Sequence, residues 1–264
     1  MSNIAKSAVI GRGAEIGENV EIGDFCVIGE NVKIDSGTKL YNGVTILGNT
    51  TIGKNCTIYP YAVLGTPPQD LKYDGESVEL IIGDNNLIRE HCMFNPGTAS
   101  GISKTLIGNN NLFMAYVHIA HDCIIGNNCI LANNATLGGH IEVGDFVNIG
   151  GLTPVHQFCK IGDGAMVAGA SALAQDLPPF CMAEGNRAVI RGLNKHRMRK
   201  LFKSEEIDKI SHFYKELFSA PMTFRAFAQN VLDSGEKTES IIKICEFILK
   251  SERGIPARTK DRHE

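Results

Sequence analysis

The stretch VEIGDFCVIGENVKIDSGTKL, residues 20–40, repeats one pattern every six residues. Its apolar positions are Ile22, Ile28, Ile34 and Leu40, and a glycine follows the first two of them. A period of six fits neither the 3.6 residues of a helical turn nor the alternation of a simple strand. It is typical of a parallel β-helix, in which short strands meet at tight corners and three hexads, about 18 residues, make one triangular coil.

The hexad repeat extends over most of the chain. Apolar residues keep the spacing over residues 4–64, 82–94 and 107–173. Two segments interrupt it, at about 66–80 and 97–106. We predict that both are loop insertions, which in solenoid proteins often form the binding face.

The fold class is therefore predicted to be mainly β, with a parallel β-helix over residues 1–186 and an α-helical C-terminal domain over residues 187–264. The helical domain would cap the open end of the solenoid, where strand edges would otherwise be exposed. Ser204 and Thr238 are the expected N-caps of two helices, and Pro221 is expected to end the first of these.

The composition excludes several classes of protein. The net charge of −3 gives no overall field that would attract nucleic acid or a membrane surface. No apolar run is long enough for a signal peptide or a membrane span. We therefore predict a cytoplasmic protein without a nucleic-acid partner. Residues 187–203 carry seven Lys or Arg and no acid, which suits a phosphate group or an acidic partner as well as an ordinary solvated face.

Six cysteines share one slot of the repeat, four residues after an apolar position. They are Cys26, Cys56, Cys92, Cys123, Cys129 and Cys159. Val and Ala fill the same slot elsewhere, and no pair has CxxC spacing. We predict small buried core residues, and neither disulfides nor thiolate–metal sites.

Histidines gather late in the repeat. The motif HIAHDC contains His118, His121 and Asp122, and His140 and His156 lie within one residue of the positions one and two coils beyond His121. We predict that His121, His140 and His156 stack near one corner, with an acid beside them. Such a cluster suits either a metal site or general-base catalysis in which the aspartate orients an imidazole.

Five motifs follow one another along the chain: QDLKY (69–73), HIAHDC (118–123), ILANNATLGGH (130–140), VHQFCKIG (155–162) and AQDLPPF (174–180). In these motifs and their order, the whole chain resembles the UDP-N-acetylglucosamine O-acyltransferases, which take a 3-hydroxyacyl chain from acyl carrier protein in the first step of lipid A biosynthesis. Hexads alone are weak evidence, because many acyltransferases and some non-enzymes share them.

The resemblance implies a role for each matching residue. His121 is the expected general base that removes the proton from the sugar 3-hydroxyl, Asp122 completes a dyad, and the Gly139 N–H forms the oxyanion hole. The residues expected to bind substrate are Asp70, Lys72, Asn95, His118, His140, His156, Gln157, Gly169, Asn194, Arg197 and Lys200. No sequence motif indicates a Ser or Cys nucleophile, so direct transfer is favoured over an acyl-enzyme.

The same resemblance implies a left-handed β-helix and a homotrimer with active sites between subunits. The left hand comes from the resemblance alone, since parallel crossovers are normally right-handed. No metal or cofactor is expected apart from the phosphopantetheine arm of the carrier protein. Gly169 matches a residue that limits acyl length, and its lack of a side chain predicts a long donor, with about fourteen carbons or more.

Three positions depart from the family pattern: Asn95 replaces a frequent histidine, His196 an acid, and Leu201 the second residue of a basic pair. A neutral amide at Asn95 leaves open a 3-amino UDP-sugar as acceptor, with an amide as product. A hexapeptide-repeat zinc carbonic anhydrase is a more distant alternative. The N-acyltransferase that acts later on the acylated sugar is another, but it normally has an N-terminal globular domain, and repeats here begin at Ile4.

Overall fold

Residues 2–257 are described by a computed structural model, in which three sheets wind around one apolar core. Sheet A contains β1 Asn3–Ile4, β4 Glu21–Ile22, β7 Lys39–Leu40, β10 Thr57–Ile58, β13 Leu87–Ile88, β16 Leu112–Phe113, β19 Ile130–Leu131, β22 Asn148–Ile149, β25 Met166–Val167, β26 Cys181–Glu184 and β27 Val189–Leu193. Sheet B contains β2 Val9–Ile10, β5 Val27–Ile28, β8 Thr45–Ile46, β11 Val63–Leu64, β14 Met93–Phe94, β17 His118–Ile119, β20 Thr136–Leu137 and β23 Pro154–Val155. Sheet C contains β3 Glu15–Ile16, β6 Lys33–Ile34, β9 Asn49–Ile52, β12 Glu79–Ile82, β15 Lys104–Ile107, β18 Ile124–Ile125, β21 Glu142–Val143 and β24 Lys160–Ile161.

The register stacks equivalent repeat positions on one another. Ile28 pairs with Ile46 in the next coil of sheet B, and the strands of the coils run parallel. In each short strand the second residue points inward: Glu21 is exposed, whereas Ile22 is 3% exposed. From β4 onward, the six-residue period thus places one apolar side chain of each solenoid strand in the core, which confirms the predicted β-helix.

The cysteines of the repeat lie in that core. All six are buried and unpaired. Burial raises the pKa of the Cys92, Cys123, Cys129 and Cys159 thiols to about 12, so they remain protonated and unreactive near neutral pH. Their interpretation as small core residues is confirmed.

Each coil has three corners, AB, BC and CA, each between strands of the two sheets in its name. At the CA corner a ladder of side-chain amides and carboxylates runs from coil to coil. Each Oδ1 accepts the backbone N–H one coil earlier, through Asp84, Asn109, Asn127, Asp145 and Asp163. Both insertions replace the BC corner, between β11 and β12 and between β14 and β15.

The C-terminal region departs from the prediction at its start. Residues 187–194 were expected in the helical domain, but β27 pairs antiparallel with β26 and extends sheet A. The physical reason is that β26 would otherwise present an unpaired edge. The helices are α1 Lys195–Leu201, α2 Ser204–Ser219, α3 Phe224–Asp233 and α4 Glu239–Lys250.

Two of the three predicted helix boundaries are confirmed. Thr238 is an N-cap, since its side chain accepts the Ile241 N–H at 3.5 Å, and α2 ends before Pro221. The N-cap of α2 is Lys203, so the prediction for Ser204 is wrong by one residue. Every helix within residues 2–257 is too short or too polar to cross a bilayer.

Candidate active site

A histidine and an aspartate form a pair at the BC corner that follows β17. His121 Nδ1 lies 2.8 Å from Asp122 Oδ2, and the side chains are 13% and 0% exposed. The backbone at Asp122 is left-handed, with φ 59°, which Asp tolerates better than most residues. Adjacent residues can therefore pair here because the corner bends the chain between them.

The second insertion holds the aspartate. Asp122 accepts hydrogen bonds from the Thr98 hydroxyl at 2.6 Å, from the Thr98 N–H at 3.1 Å and from the Ile102 N–H at 2.9 Å. Gly101 is packed so closely that an added Cβ would lie 2.3–2.5 Å from the carboxylate atoms. The loop encloses the carboxylate, and with His121 it fills the acceptor positions of both oxygens.

These donors determine the charge of Asp122. Burial alone raises the pKa of this carboxyl, but the Thr98 hydroxyl, His121 and the Thr98 N–H lower it, and the net shift is downward. The group is therefore a carboxylate near neutral pH. A carboxylate at this position makes Nδ1 the protonated nitrogen of His121 and leaves the Nε2 lone pair available as a base.

The first insertion faces the other nitrogen of the imidazole. His121 Nε2 lies 4.0 Å from Asp70 Oδ2, and the Lys72 N–H donates to Asp70 Oδ1 at 3.0 Å. Glu76 ties the two insertions together, because its Oε1 accepts the Ala99 N–H at 3.1 Å. A second carboxylate near Nε2 would stabilise the imidazolium that forms when His121 takes a proton.

Gly139 lies one coil beyond His121, directly against its ring. A Cβ at this position would be 2.6 Å from His121 Cε1 and 2.7 Å from Nε2, so only glycine leaves the imidazole in place. Within residues 2–257, no acceptor takes the Gly139 N–H, whereas the neighbouring N–H groups of Gly138 and His140 are bonded to Val155 and His121. An unpaired donor therefore lies beside the base.

Two further histidines border the pair. The His140 ring lies edge-on to His121, with centroids 5.0 Å apart, and stacks on Phe158 at 4.5 Å. Burial lowers the pKa of both His118 and His140, so both are neutral near pH 7 and do not compete as cations. Neutral rings can donate or accept hydrogen bonds to a sugar hydroxyl.

The side chains of His121, Asp122 and His140 are close enough to bind one metal ion, with candidate ligand atoms within 4.8 Å of one another. The donors already bound to Asp122 argue against that use. Its oxygens accept bonds from Thr98, Ile102 and His121, and a cation would have to displace them. The arrangement fits a base with its orienting acid better than a metal site.

The predicted convergence of three histidines holds for two of them. His156 is exposed, stacks above Gly138 rather than Gly139, and its Nδ1 contacts the Gln157 carbonyl at 3.0 Å. The physical reason is the direction of the offset: His140 follows the column of His121 by one residue and shares the column of Asp122, whereas His156 precedes it and shares the column of Ala120. Gln157 occupies the column of His121, two coils beyond it, and is exposed.

Asn95 is buried next to the coil that carries His121. Its N–H donates to the Ile119 carbonyl, and its Nδ2 donates to the Thr66 and Pro67 carbonyls at 3.1 Å each. Its Oδ1 is buried and has no partner within the described residues. A buried acceptor without a partner is costly, and a bound hydroxyl or amine could satisfy it equally well.

The other residues predicted to bind substrate lie at corners of the β-helix other than the BC corner of His121. Gly169 is at the AB corner, whereas Asn194 contacts the CA corner, where its Nδ2 donates to the Gly164 carbonyl at 2.9 Å. The Asn194 side chain also caps α1. Arg197 donates to Asn148 at 3.2 Å, and Lys200 is exposed. One chain therefore does not bring these residues to His121.

The sequence did not predict that Thr98 and Ile102 donate hydrogen bonds to Asp122. Neither belongs to a hexad or to a catalytic motif. A usable signal existed, because the second insertion replaces the BC corner one coil before His121. Counting coils would have placed it beside Asp122.

The chain is similar to proteins of one family. Residues 176–256 match the family model of the UDP-N-acetylglucosamine O-acyltransferase second domain, and residues 25–66 and 104–139 match the bacterial transferase hexapeptide model. A curated acyl-[acyl-carrier-protein]–UDP-N-acetylglucosamine O-acyltransferase of Helicobacter acinonychis (strain Sheeba) is 60% identical over 204 residues, 77% of this chain and 76% of the relative.

Solved structures of the same kind of enzyme superpose on nearly the whole chain. A crystal structure of a UDP-N-acetylglucosamine acyltransferase is 59% identical with a TM-score of 0.96, and covers 97% of this chain and 99% of the other. The Campylobacter jejuni UDP-N-acetylglucosamine acyltransferase is 47% identical with a TM-score of 0.93, over 97% and 100% of the two chains. Superposition preserves handedness, and the left-handed β-helix with C-terminal helices is confirmed.

Proposed function

Because the chain belongs to the UDP-N-acetylglucosamine O-acyltransferase family, we propose that it transfers a 3-hydroxyacyl chain from acyl carrier protein to the 3-hydroxyl of UDP-N-acetylglucosamine, in the first step of lipid A biosynthesis. One observation carries the proposal: the imidazole of His121 is held by the buried Asp122 carboxylate, beside the Gly139 N–H, which has no acceptor among residues 2–257. The names of the relatives support an ester product. Neither the 3-amino sugar nor the carbonic anhydrase alternative has support from the comparisons.

The reaction follows from this arrangement. His121 Nε2 removes the proton of the sugar hydroxyl as the oxygen attacks the thioester carbonyl, and Asp122 stabilises the imidazolium that forms. The negative charge that develops on the carbonyl oxygen is stabilised by the Gly139 N–H. Collapse of the tetrahedral intermediate breaks the C–S bond, and the imidazolium returns its proton to the leaving thiolate. The phosphopantetheine arm belongs to the carrier protein, so the step uses no cofactor of its own.

The substrate-binding roles of Asp70, Lys72, Asn95, His118 and His140 remain part of this proposal. The four residues other than Lys72 are at least partly buried around the BC corner, and Lys72 is exposed on the first insertion. Their supply of donors and acceptors suits a sugar with several hydroxyl groups and an acetamido group. Asn194, Arg197 and Lys200 would act on the nucleotide from another subunit.

We propose a homotrimer because the site is incomplete in one chain. His121 is at the BC corner, and Gly169 is at the AB corner. If both contact one acyl chain, the groove must run between two subunits. The AB corner also exposes the stacked rings of Tyr61, His91 and Tyr116, with centroids 5.4 and 4.8 Å apart, which a neighbouring subunit would cover. We propose a cytoplasmic location, as the sequence predicted.

The proposal is tested by incubating the purified protein with UDP-N-acetylglucosamine and a 3-hydroxyacyl carrier protein. We expect an ester at the 3-position and release of the free carrier thiol. A parallel reaction with a 3-amino UDP-sugar measures the alternative through the ratio of kcat/KM values. Absence of transfer to both sugars, or zinc-dependent activity without transfer, would refute the assignment.

Replacing Gly169 with Met should shift the donor preference to shorter chains. A Cβ at Gly169 would meet the Gly151 carbonyl oxygen at 3.4 Å, an ordinary contact, so the variant should fold. Each buried methylene contributes about 0.8 kcal/mol, and blocking the end of the groove should lower kcat/KM for a fourteen-carbon donor at least ~10-fold relative to a ten-carbon donor. Gly192→Met is the control, because nothing lies within 4 Å of that position. An unchanged preference would contradict the assigned role.

A further inference from the structure

A cavity of about 550 Å³, the arginine cavity, opens between the last coils and the C-terminal region. Its lining is His156, Ala174, Gln175, Arg187, Ala188, Val189 and Arg253. The lining contains two guanidinium groups and an imidazole and no carboxylate. Its walls come from the corner after β23, from the start of β27 and from the segment after α4, so folding brings together charges that are far apart in sequence.

The described part of the chain leaves the charges of the two arginines without a carboxylate partner. Within residues 2–257, neither Arg187 nor Arg253 forms an ion pair with a carboxylate. Asp176 is fully buried and accepts the Ser251 hydroxyl and the N–H groups of Glu252 and Arg253. Glu184, opposite Val189 in the neighbouring strand, lies 3.8 Å from Arg191. Both acids therefore have other partners, and the residues that line the cavity include no carboxylate.

One guanidinium is fixed and the other is accessible. Arg253 Nε donates to the Ala174 carbonyl at 2.9 Å, and its guanidinium also interacts with the buried Cys159 thiol. Arg187 is exposed. A fixed and an exposed guanidinium on one cavity suit a tetrahedral anion, because guanidinium groups donate charge-assisted hydrogen bonds to phosphate oxygens.

The position of the cavity relates it to the catalytic pair. His156 forms its wall at the BC corner and lies two coils above Ala120, the residue before His121. With about 4.8 Å per coil, the cavity begins roughly 10 Å along the axis from the base. A substrate bound at His121 could therefore extend a phosphate group into it.

We propose that the arginine cavity binds a phosphate-ester group of a substrate, through Arg187 and Arg253. This inference rests on the proposed acyl transfer. Two sources have the required chemistry: the phosphodiester of the phosphopantetheine arm and the diphosphate of the UDP-sugar.

The test replaces Arg187 with Gln, since this exposed residue contributes little to folding. KM is measured for both substrates, and the donor is also compared as 3-hydroxyacyl-4′-phosphopantetheine and as the same acyl-pantetheine without phosphate. If the donor phosphate occupies the cavity, its KM rises about tenfold in the variant, the loss expected for a charged hydrogen bond, and the advantage of the phosphorylated donor disappears. If the UDP diphosphate occupies it, the KM for the sugar rises instead, and the donor comparison is unchanged.

Arg191→Gln is the matched control, because this nearby arginine lies 3.8 Å from Glu184 and outside the cavity. Unchanged KM values for both substrates in Arg187→Gln would overturn the inference. If the unmodified protein catalyses no transfer, the proposed function fails separately. Direct titration of UDP-N-acetylglucosamine and of 4′-phosphopantetheine then decides the inference: tenfold weaker binding of either ligand to Arg187→Gln supports it, and equal binding of both overturns it.

Discussion

Replacement of His121 with Ala should lower kcat by at least ~10²-fold and leave the protein folded. The expected loss is the contribution of a positioned general base, on the order of 10²–10⁴. Asp122 cannot take over this role, because its carboxylate is fully buried and bound to Thr98 and Ile102. The folded state should survive, because the inward-facing side chains of the repeat are unchanged.

The measurement is a single-turnover transfer assay, with circular dichroism and sedimentation to confirm fold and assembly. His212→Ala is the control, since this histidine is exposed on α2 and lies 3.2 Å from Glu216. The control should retain the activity of the unmodified protein. A folded His121→Ala variant with near-normal kcat would exclude this residue as the base.

Asp122→Asn should have the second largest effect, lowering both kcat and stability. With its NH₂ at the Oδ1 position, the new amide leaves the Ile102 N–H without its acceptor. With its NH₂ at the Oδ2 position, the Thr98 hydroxyl and His121 Nδ1 lose the acceptor that they now share. Leaving such buried donors without an acceptor costs about 1–3 kcal/mol. The amide also no longer fixes Nδ1 of His121 as the protonated nitrogen, and we expect kcat to fall at least ~10²-fold, as when the orienting aspartate of a catalytic triad is replaced by its amide.

The stability effect should depend on pH with a defined sign. The pKa of Asp122 is lowered in the folded protein, so its contribution to stability is present above the ordinary Asp value of about 4 and is lost as the pH falls through the lower folded-state value. Denaturant unfolding should therefore separate the variant from the unmodified protein at pH 7, and the difference should shrink below pH ~4.

Asp84→Asn is the matched control for this substitution. Asp84 accepts the Lys54 N–H in the CA ladder, where Asn109 and Asn127 already perform the same task. The control should leave kcat unchanged and should lower the free energy of unfolding at pH 7 by less than Asp122→Asn does. Equal effects of the two substitutions would mean that Asp122 is only a structural acceptor.

The sequence by itself determined the β-helix, because the fold is built from local repetition. A branched apolar residue at every sixth position, such as Ile28 and Ile46, can be buried in only one way when coils stack. The same counting placed the cysteines in the core and brought His121 next to His140. It missed β27, because that strand forms to cover the edge of β26, a condition that exists only once the solenoid has folded.

The candidate base and its acid were also readable from the sequence, since HIAHDC places them at one corner. Only the tertiary structure showed which contacts hold His121 and Asp122 in position. Thr98 and Ile102 reach Asp122 across a coil, Gly139 fits against the His121 ring for lack of a side chain, and His156 turns away by one step of register. A repeat fixes which residues share a corner, because each coil has nearly the same length. Loops without a period, and side chains offset by one residue, are positioned by contacts between coils, which no local pattern encodes.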